Sequence, residues 1–377
     1  MKPKVMFMTN IPSPYRVDFF NELGKHCDLT VWFQAKNEAN REWKGDGIGR
    51  HFQYKFLPGR TFGLDKHLNF SVWKELQRSR FDVHIMGCYS SPTEMMAIQW
   101  LRMRRIPFIL NSDGGFPAPE ESRFKRNLKK GLISSASFWL SSGKNCTEYL
   151  TYYGAKADQI HEYPLSSVHY TPEQLRPLSP ERHAELKSRH NLKETVFLSV
   201  GQFIERKGLD LLLRSFRELN APDASLLLIG GGPQEEEYRA YLKENQVENV
   251  VILPFLQKEE LIEYYKVSDA FVLPTRYDVW ALVLNEAIMF GLPLISTTMA
   301  GASHDLIEEG RNGYMIPVDD QQRLTSALRG ILESPERRAR FGERSLEVAA
   351  RYSMDHMVDA HLKALERFLG RHKSEAI

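Results

Sequence analysis

Two carboxylates lie close together in an otherwise apolar part of the sequence. Asp278 follows the short apolar run 270–273, and Glu286 lies inside the long apolar segment 279–290. A buried carboxylate is costly unless hydrogen bonds compensate it, so both acids are candidates for binding a ligand. A carboxylate can accept bonds from the two hydroxyls of a diol, and a helix N-terminus offers free N–H groups to a phosphate. The alternative is that Asp278 only caps a helix and Glu286 only pairs with an arginine.

The elements around these acids predict where they lie. The run 270–273 is typical of a buried strand. Segment 279–290 is too long for a strand and is followed by Gly291 and Pro293, which is typical of a helix C-terminus. With 294–296 as the next strand, the unit predicts a parallel sheet and a right-handed crossover. Ligands of such sheets bind beyond the carboxyl ends of the strands, which is where the first acid is expected.

The spacing of the two acids resembles the signature of the retaining GT-B glycosyltransferases of family GT4. The signature is an acid, seven residues, Glu-Ala and a downstream Gly-x-Pro; here Asp278 stands where the family usually has glutamate. The resemblance covers the chain, most strongly over 200–313, and implies a nucleotide-sugar enzyme. It implies that Glu286 binds the ribose hydroxyls and that Asp278 meets the hydroxyls of the donor sugar. The amides that would face the diphosphate are those of Val279, Trp280 and Ala281.

A basic loop between the predicted strand 195–200 and the predicted helix 209–219 resembles the phosphate-binding segment of the same family. Lys207 matches the family's lysine, which would stabilise a leaving diphosphate electrostatically. Gln202 stands where arginine is usual, so one phosphate charge is missing. The alternative interpretation of Lys207 is a solvated surface lysine. The remaining donor-binding residues implied by the resemblance are Gly201, Arg206 and, in the loop where the family holds the base, Phe255.

The first half of the chain matches the family less closely. The predicted strand 107–110 runs into Asp113 and two glycines, so a carboxylate is expected at the edge of a sheet with a freely bending backbone. Many GT4 members have a histidine near this position, and Asp113 would orient the acceptor hydroxyl or the donor sugar in its place. The alternative is that Asp113 only makes a turn. The predicted catalytic residues are Asp113, Lys207 and Asp278.

The loop after the first predicted strand lacks the glycine pair that GT-B enzymes often carry there. Its short Pro-Ser-Pro-Tyr-Arg form resembles a GT4 subgroup associated with surface-polysaccharide assembly. Ser13, Tyr15 and Arg16 are therefore candidates for phosphate or acceptor contacts. The alternative for Arg16 is a surface side chain stacked on Tyr15.

The predicted fold class is α/β, a GT-B fold with two Rossmann-like domains whose parallel sheets face each other across a cleft. Residues 1–165 are predicted to bind the acceptor and residues 195–351 the nucleotide sugar, with a linker region over 166–194. A C-terminal helix over 352–377 is expected to pack back on the first domain, as such helices often do in GT-B folds.

Composition limits the classes of function. The 377-residue chain has 42% hydrophobic and 26% charged residues and a net charge of +2, which is typical of a globular protein and gives no indication of nucleic-acid binding. Its three cysteines, 27, 88 and 146, are far apart, which favours a reducing cytoplasm. No apolar run reaches the length of a membrane span. No Asp-x-Asp pair ends a strand, so a metal-held diphosphate is not expected, and positive groups and helix N-termini would bind the diphosphate instead. No cofactor is expected besides the nucleotide sugar, which is the donor substrate.

Residues 121–133 form a basic amphipathic stretch with Phe124, Leu128 and Leu132 at helical spacing. Such a helix can lie on an anionic membrane surface. The alternative is a solvated helix whose apolar stripe faces the core. We therefore expect a cytoplasmic protein that can associate peripherally with the inner membrane.

The function predicted by these patterns is a retaining transfer of a sugar from a UDP- or GDP-sugar to a saccharide acceptor. The acceptor is expected to be lipid-linked, in the assembly of a bacterial surface polysaccharide or glycan. Two alternatives stay open. A nucleotide-sugar epimerase of the same fold would consume donor without an acceptor. A non-catalytic glycosyltransferase-like partner would fit Gln202 and the missing glycines, but it is disfavoured by Lys207, Asp278 and Glu286.

Overall fold

The structure is a computed structural model of the chain, and it describes residues 2–37, 48–63, 66–166 and 170–374. It divides into two compact units. Unit 1 comprises residues 1–169 and 353–377, and unit 2 comprises residues 170–352. Residues 167–169 of the predicted linker and 375–377 of the predicted C-terminal helix lie outside the described residues.

The first part of the chain alternates strands and helices. Its elements are β1 (Lys4–Thr9), α1 (Pro14–Gly24), β2 (Asp28–Phe33), β3 (Gln53–Phe56), β4 (Arg60–Phe62), β5 (Lys66–Leu68), α2 (Val72–Arg78), β6 (Val83–Met86), α3 (Pro92–Met103), β7 (Ile109–Ser112), α4 (Arg123–Ile133), β8 (Phe138–Ser141), α5 (Lys144–Tyr152) and β9 (Ile160–Glu162).

The second part continues the alternation and ends in three long helices. Its elements are α6 (Pro172–Leu175), α7 (Pro180–Arg189), β10 (Thr195–Gln202), α8 (Leu209–Leu219), β11 (Ala224–Gly231), α9 (Glu235–Glu244), β12 (Val250–Leu253), α10 (Lys258–Val267), β13 (Ala270–Leu273), α11 (Leu282–Met289), β14 (Leu294–Thr297), α12 (Ser303–Leu306), β15 (Gly313–Ile316), α13 (Gln321–Leu332), α14 (Pro335–Ala349) and α15 (Met354–Ser374).

Among the described residues, unit 1 is built on a seven-stranded parallel sheet in the order β3-β2-β1-β6-β7-β8-β9. The central strands β1, β6, β7 and β8 are buried on both faces, as parallel sheets require; Val5, Met6, Phe7 and Met8 of β1 have no exposed surface. The strand order reverses between β1 and β6, because the chain leaves β1 towards β2 and later returns to the other side. Loops that follow β1 and β6 therefore flank a topological switch point.

Unit 2 has the same construction. Its described strands form a six-stranded parallel sheet in the order β12-β11-β10-β13-β14-β15. The core includes α8 and α13, whose apolar faces pack on the sheet through Leu212, Phe216, Leu324 and Leu328. The order reverses between β10 and β13, which makes the loops after these two strands the expected ligand-binding loops.

The last helix of the chain belongs to unit 1. Helix α15 packs against α1, β8 and β9, and its Phe368 lies edge-on to Phe138 with ring centroids 6.4 Å apart. Unit 1 is therefore built from both ends of the sequence. Over the residues that the structure describes, no helix is both long and apolar enough to span a membrane.

Candidate active site

Two element boundaries of unit 2 differ from the sequence prediction. Gly201 and Gln202 belong to β10, where they pair with Gly230 and Gly231 of β11, so they extend the sheet instead of opening the loop. Helix α11 begins at Leu282, three residues later than predicted. The reason is the left-handed conformation of Ala281, with φ of 79°, which cannot continue a right-handed helix.

Lys207 and Asp278 meet at the switch point of unit 2. Lys207 lies in the loop after β10 and Asp278 in the loop after β13, and Nζ donates to Oδ2 at 2.6 Å. The Lys207 side chain is 12% exposed and that of Asp278 is 16% exposed, so the pair is largely enclosed by protein. Arg206 lies beside it, with Nη1 at 3.7 Å from the same carboxylate oxygen. Lys207 is thus not the solvated lysine of the alternative interpretation.

The main chain fixes Asp278 against the following turn. Its N–H donates to the carbonyl of Met299 at 2.8 Å, and its carbonyl accepts from Gly301 at 3.0 Å. Gly301 has no room for a side chain, because a Cβ would lie 2.2 Å from the carbonyl oxygen of Val279. Asp278 therefore does not cap helix α11; its side chain faces a lysine.

The N-terminus of α11 is not capped by any side chain. The first N–H groups of a helix have no partner inside the helix, and they attract anions. Trp280, directly before this end, is buried, and its Nε1 donates to Asn285 at 2.8 Å, which fixes the approach of the loop to the helix. Val279 is exposed beside it. The positive charge of Lys207 thus contacts the same loop that leads into the uncapped N-terminus of α11.

Glu286 lies on α11, and it forms no ion pair with an arginine among the residues that the structure describes. Its Oε2 accepts a hydrogen bond from the hydroxyl of Tyr265 at 2.8 Å. Burial raises the pKa of Glu286, although the Tyr265 hydrogen bond and the charge of Lys258 oppose this shift. A carboxylate has about four lone-pair sites, so Glu286 can accept hydrogen bonds beyond the one from Tyr265, for example from the hydroxyls of a ribose.

Phe255 lies in the loop after β12 and projects towards solvent. Its ring is about half exposed, as required of a side chain that stacks on a base. Within the described residues, no group of three or more histidine, cysteine or acidic side chains is arranged to hold a metal ion.

In unit 1, two residues predicted separately form one ion pair. Nη2 of Arg16, at the start of α1, donates to both carboxylate oxygens of Asp113, which follows β7. Arg16 is only 3% exposed, so it is not the surface arginine of the alternative interpretation, although its guanidinium does lie 5.6 Å from the centroid of the Tyr15 ring. Burial lowers the pKa of Arg16, but the charges of Asp113, Tyr15 and Tyr163 and the hydrogen bond to Asp113 together outweigh this effect and raise it. Asp113 consequently does more than make a turn.

Further donors surround the Asp113 carboxylate. The hydroxyl of Tyr163 donates to Oδ1 at 2.9 Å and Nδ2 of Asn111 at 3.1 Å. Burial, and then the charge of Asp113, raise the pKa of Tyr163, so it stays a donor. The ring of His361, on α15, lies 4.5 Å from the ring of Tyr163. These contacts fix the orientation of the carboxylate.

Two other predicted residues lie beside this pair. Ser13 is buried directly before α1, and its side chain makes no capping bond. Burial, followed by the charge of Asp113, raises the pKa of Tyr15. The structure thus brings Tyr15, Arg16 and Asp113 together at the carboxyl edge of the unit 1 sheet.

The basic stretch of unit 1 is helix α4, which has both buried and solvent-exposed apolar residues. Leu132 and Ile133 are buried in the core, whereas Phe124 is 78% exposed and Leu128 is also exposed. Lys129 turns inward, with Nζ 2.8 Å from Glu121 and 4.9 Å from the Tyr153 ring centroid. The basic residues of α4 that are exposed are Arg123, Lys125 and Lys130. The apolar stripe therefore faces the core only at its C-terminal end.

Sequence reasoning missed several residues of both sites. Arg276, Tyr265, Tyr163 and His361 had no local pattern to single them out. Arg276 is 66 positions from its partner Asp210, and such a pairing is visible only after folding. The tyrosines carry no charge, so they give no signal in a search for acids and bases.

Much of unit 2 is similar in sequence to a known protein family. Residues 182–348 match the family model described as "Glycosyl transferases group 1", which lies within unit 2. The O-antigen chain mannosyltransferase C of Escherichia coli is 29% identical over 177 residues, covering 46% of this chain and 47% of that protein. A GDP-mannose-dependent alpha-(1-6)-phosphatidylinositol monomannoside mannosyltransferase of Mycolicibacterium smegmatis is 30% identical over 174 residues, covering 43% and 45%. The match spans less than half the length of either relative.

Solved structures match nearly the whole chain. Alr3699/HepE of Anabaena, in complex with UDP and glucose, has a TM-score of 0.76 at 16% identity and covers 97% of this chain and 100% of that one. WaaG, a glycosyltransferase involved in lipopolysaccharide biosynthesis, has a TM-score of 0.68 at 16% identity and covers 94% and 97%. The predicted GT-B class is confirmed by this likeness of fold, and the predicted resemblance to group 1 glycosyltransferases is confirmed by the family match.

Proposed function

Because residues 182–348 match the group 1 glycosyl transferases, we propose that the protein transfers a sugar from a nucleoside diphosphate donor to a saccharide acceptor. The observation that carries the proposal is the meeting of Lys207 and Asp278 at the switch point of unit 2, 2.6 Å apart. Their loops adjoin the uncapped N-terminus of α11, and Glu286 lies on the same helix. Anion-binding and hydroxyl-binding groups are thus combined where α/β sheets bind ligands.

Each residue has a distinct role in this proposal. Glu286 accepts hydrogen bonds from the ribose hydroxyls, and Phe255 stacks on the base. Lys207 and the first amides of α11 bind the diphosphate, and Lys207 stabilises the negative charge that develops as it leaves. Asp278 accepts hydrogen bonds from the donor sugar while it orients the Lys207 ammonium. The transfer proceeds with retention of configuration and without a metal, as the sequence signature implies.

The acceptor is proposed to bind to unit 1 at Asp113. This carboxylate is fixed by Arg16, Tyr163 and Asn111 and is partly exposed. Because Arg16 is committed to Asp113, it holds the acid in place rather than reaching a phosphate. A fixed carboxylate can orient an acceptor hydroxyl for attack, and orientation of reactants is a large part of catalysis.

A lipid-linked acceptor agrees with the surface of α4. Exposed Phe124 and Leu128 are one helical turn apart, and Arg123, Lys125 and Lys130 are exposed on the same helix. Apolar side chains flanked by cations are what an interfacial helix presents to an anionic leaflet. We propose that unit 1 approaches the cytoplasmic face of the inner membrane through this helix, in the assembly of a bacterial surface glycan.

The experiment is a donor screen followed by a transfer assay. GDP-mannose and UDP-glucose come first, since curated relatives of this chain include a GDP-mannose-dependent enzyme and a structural neighbour was solved with UDP and glucose. A donor at 100 times its dissociation constant stabilises the fold by about 2.7 kcal/mol, which a thermal shift detects. Transfer of labelled sugar to a lipid extract then identifies the acceptor, and Lys207→Ala should lower turnover by about 10²-fold.

The outcomes separate the alternatives. Donor converted to an isomeric sugar nucleotide without acceptor would establish an epimerase. Donor binding with no turnover in the presence of every lipid fraction would favour a non-catalytic partner. No binding of any nucleotide sugar would contradict the proposal.

A further inference from the structure

One arginine ties together the two loops at the switch point of unit 2. Arg276 lies two residues before Asp278, and its Nη1 and Nη2 donate to the two carboxylate oxygens of Asp210 in α8, both at 2.8 Å. Nη1 also donates to the carbonyl oxygen of Glu205 at 2.6 Å, and Nε donates to Asp319 at 2.8 Å. The loop after β13, the loop after β10, the start of α8 and the turn before α13 therefore share one side chain.

The main chain reinforces this connection. The N–H of Arg276 donates to the carbonyl of Arg206 at 2.7 Å, and the hydroxyl of Thr275 donates to the same oxygen at 2.9 Å. Gly208, with φ of 67°, lies so close to the other loop that a Cβ would be 2.1 Å from the carbonyl oxygen of Pro274. The loop after β10 is thus held immediately before and immediately after Lys207.

Arg276 is itself committed to the protein. Its side chain is 24% exposed, and its four hydrogen bonds use most of the five N–H donors of a guanidinium. Asp319, one of its partners, has a left-handed φ of 57°, a conformation that aspartate adopts more readily than most residues other than glycine. These contacts point to a fixed junction rather than to a further ligand contact.

We propose that Arg276 is a positioning residue that places the Lys207 ammonium at the reacting phosphate by fixing the loop after β10. This inference rests on the proposed function. The Lys207 side chain contacts Asp278. The position of the Lys207 Cα is set by the main chain of the two neighbouring residues, Arg206 and Gly208, which the loop of Arg276 holds in place. Arg276 acts through Lys207 and not on the substrate.

The test depends on the difference between arginine and lysine. Arg276→Lys keeps the positive charge but loses the bidentate contact to Asp210. The matched control is Arg344→Lys, because Arg344 makes the same kind of two-oxygen contact, with Glu308 at 2.8 and 2.7 Å, elsewhere in unit 2. Arg344 is 26% exposed, nearly the same as Arg276.

The first readout is turnover at saturating donor. Arg276→Lys should lower it by about 10- to 100-fold, since a displacement of about 1 Å at a reacting group has that effect, while Arg344→Lys leaves it unchanged. In a Lys207→Ala background Arg276→Lys should change the residual rate by less than about twofold, because two residues that act as a unit are non-additive. Equal losses in both backgrounds would overturn the proposal.

The second readout needs no activity. The full-length protein is labelled with an amine-reactive reagent, and the modification rate of Lys207 is measured by mass spectrometry. Release from Asp278 in Arg276→Lys should raise that rate several-fold, with no change at Lys187 of unit 2, whose Nζ donates to the carbonyl of Glu194 at 2.7 Å and reports the integrity of the same unit. An unchanged Lys207 rate would overturn the proposal even if turnover fell. If Lys207 became more reactive but Lys207→Ala retained full turnover, the positioning would stand and the proposed function would fail.

Discussion

The contact between Lys207 and Asp278 sets what the donor site can bind. An ammonium group has three N–H donors, and Asp278 accepts one of them at 2.6 Å. A phosphate can accept from the others, so Asp278 fixes the direction of the charge without consuming it. The arrangement matters because unit 2 contains 22 lysines and arginines against 28 aspartates and glutamates, a net charge of −6. The net negative charge of unit 2 would repel an anionic donor. Binding would therefore depend on the local positive charge of Lys207 and on the N-terminus of α11.

Glu286→Gln tests the residue that would hold the ribose. The amide can still accept from Tyr265, so the fold should be retained, but hydrogen bonds to a charged group are lost. Affinity for the nucleoside diphosphate should fall by about 1.5–3 kcal/mol, as measured by titration calorimetry. Burial raises the pKa of Glu286, so this carboxylate becomes protonated at a higher pH than an ordinary glutamate does. As the pH is lowered, the affinity of the unsubstituted protein for the nucleoside diphosphate should therefore begin to fall at a higher pH than an ordinary glutamate would give. An unchanged affinity in Glu286→Gln would contradict the ribose assignment.

Sequence patterns located the strands of the sites to within about two residues, with β10 and β7 each ending two residues later than predicted, but not the contacts between them. The strands 195–200 and 270–273 and their polar loops were predictable, because apolar runs and glycines are local signals. The start of α11 was predicted three residues early, since the left-handed Ala281 is imposed by packing and not by its own propensity. The pairing of Arg16 with Asp113 spans 97 positions, and nothing in either segment identifies its partner.

Helix α15 shows how a distant element completes a site. His361 is 1% exposed and lies between the rings of Phe19 and Tyr163, each with a centroid 4.5 Å away. Burial lowers the pKa of His361 to about 3, with the charge of Arg16 acting in the same direction and that of Asp113 opposing it. The final helix thus contributes a neutral ring beside the carboxylate proposed to orient the acceptor.

His361→Phe is expected to change how the stability of unit 1 depends on pH. The folded pKa lies below the unfolded value of about 6.5, so the contribution of His361 is complete above about pH 6.5 and is lost as pH falls towards 3. In that window the slope is about 1.4 kcal/mol per pH unit. Five of the six tryptophans lie in unit 1, so urea unfolding followed by tryptophan fluorescence at pH 7, 6 and 5 reports mainly on this unit. The slope should decrease in His361→Phe and persist in His356→Phe, which replaces an exposed histidine of the same helix; equal slopes would contradict the burial argument.

The charge of the whole molecule is divided between its units. Unit 1 contains 28 lysines and arginines against 20 aspartates and glutamates, a net charge of +8, whereas unit 2 is at −6. The overall charge of +2 conceals this asymmetry. A chain that combines a basic unit and an acidic one favours binding of an anionic surface by the basic unit alone.

Binding to vesicles tests this division together with the orientation of α4. Each lysine or arginine near an anionic leaflet contributes about 1 kcal/mol, so replacing the exposed Arg123, Lys125 and Lys130 with glutamine should weaken co-sedimentation with phosphatidylglycerol vesicles by about 10²-fold. The matched control replaces Lys74, Arg78 and Arg80, which are exposed in and after α2 and change the net charge of unit 1 by the same amount. Binding should also weaken between 0.1 and 1 M salt, because the Debye length falls from about 10 to about 3 Å. If the α4 triple variant and the control lost the same affinity, the general charge of unit 1 would account for the binding. If neither lost any, or if neutral vesicles bound equally well, unit 1 would not be held at the membrane by its charge.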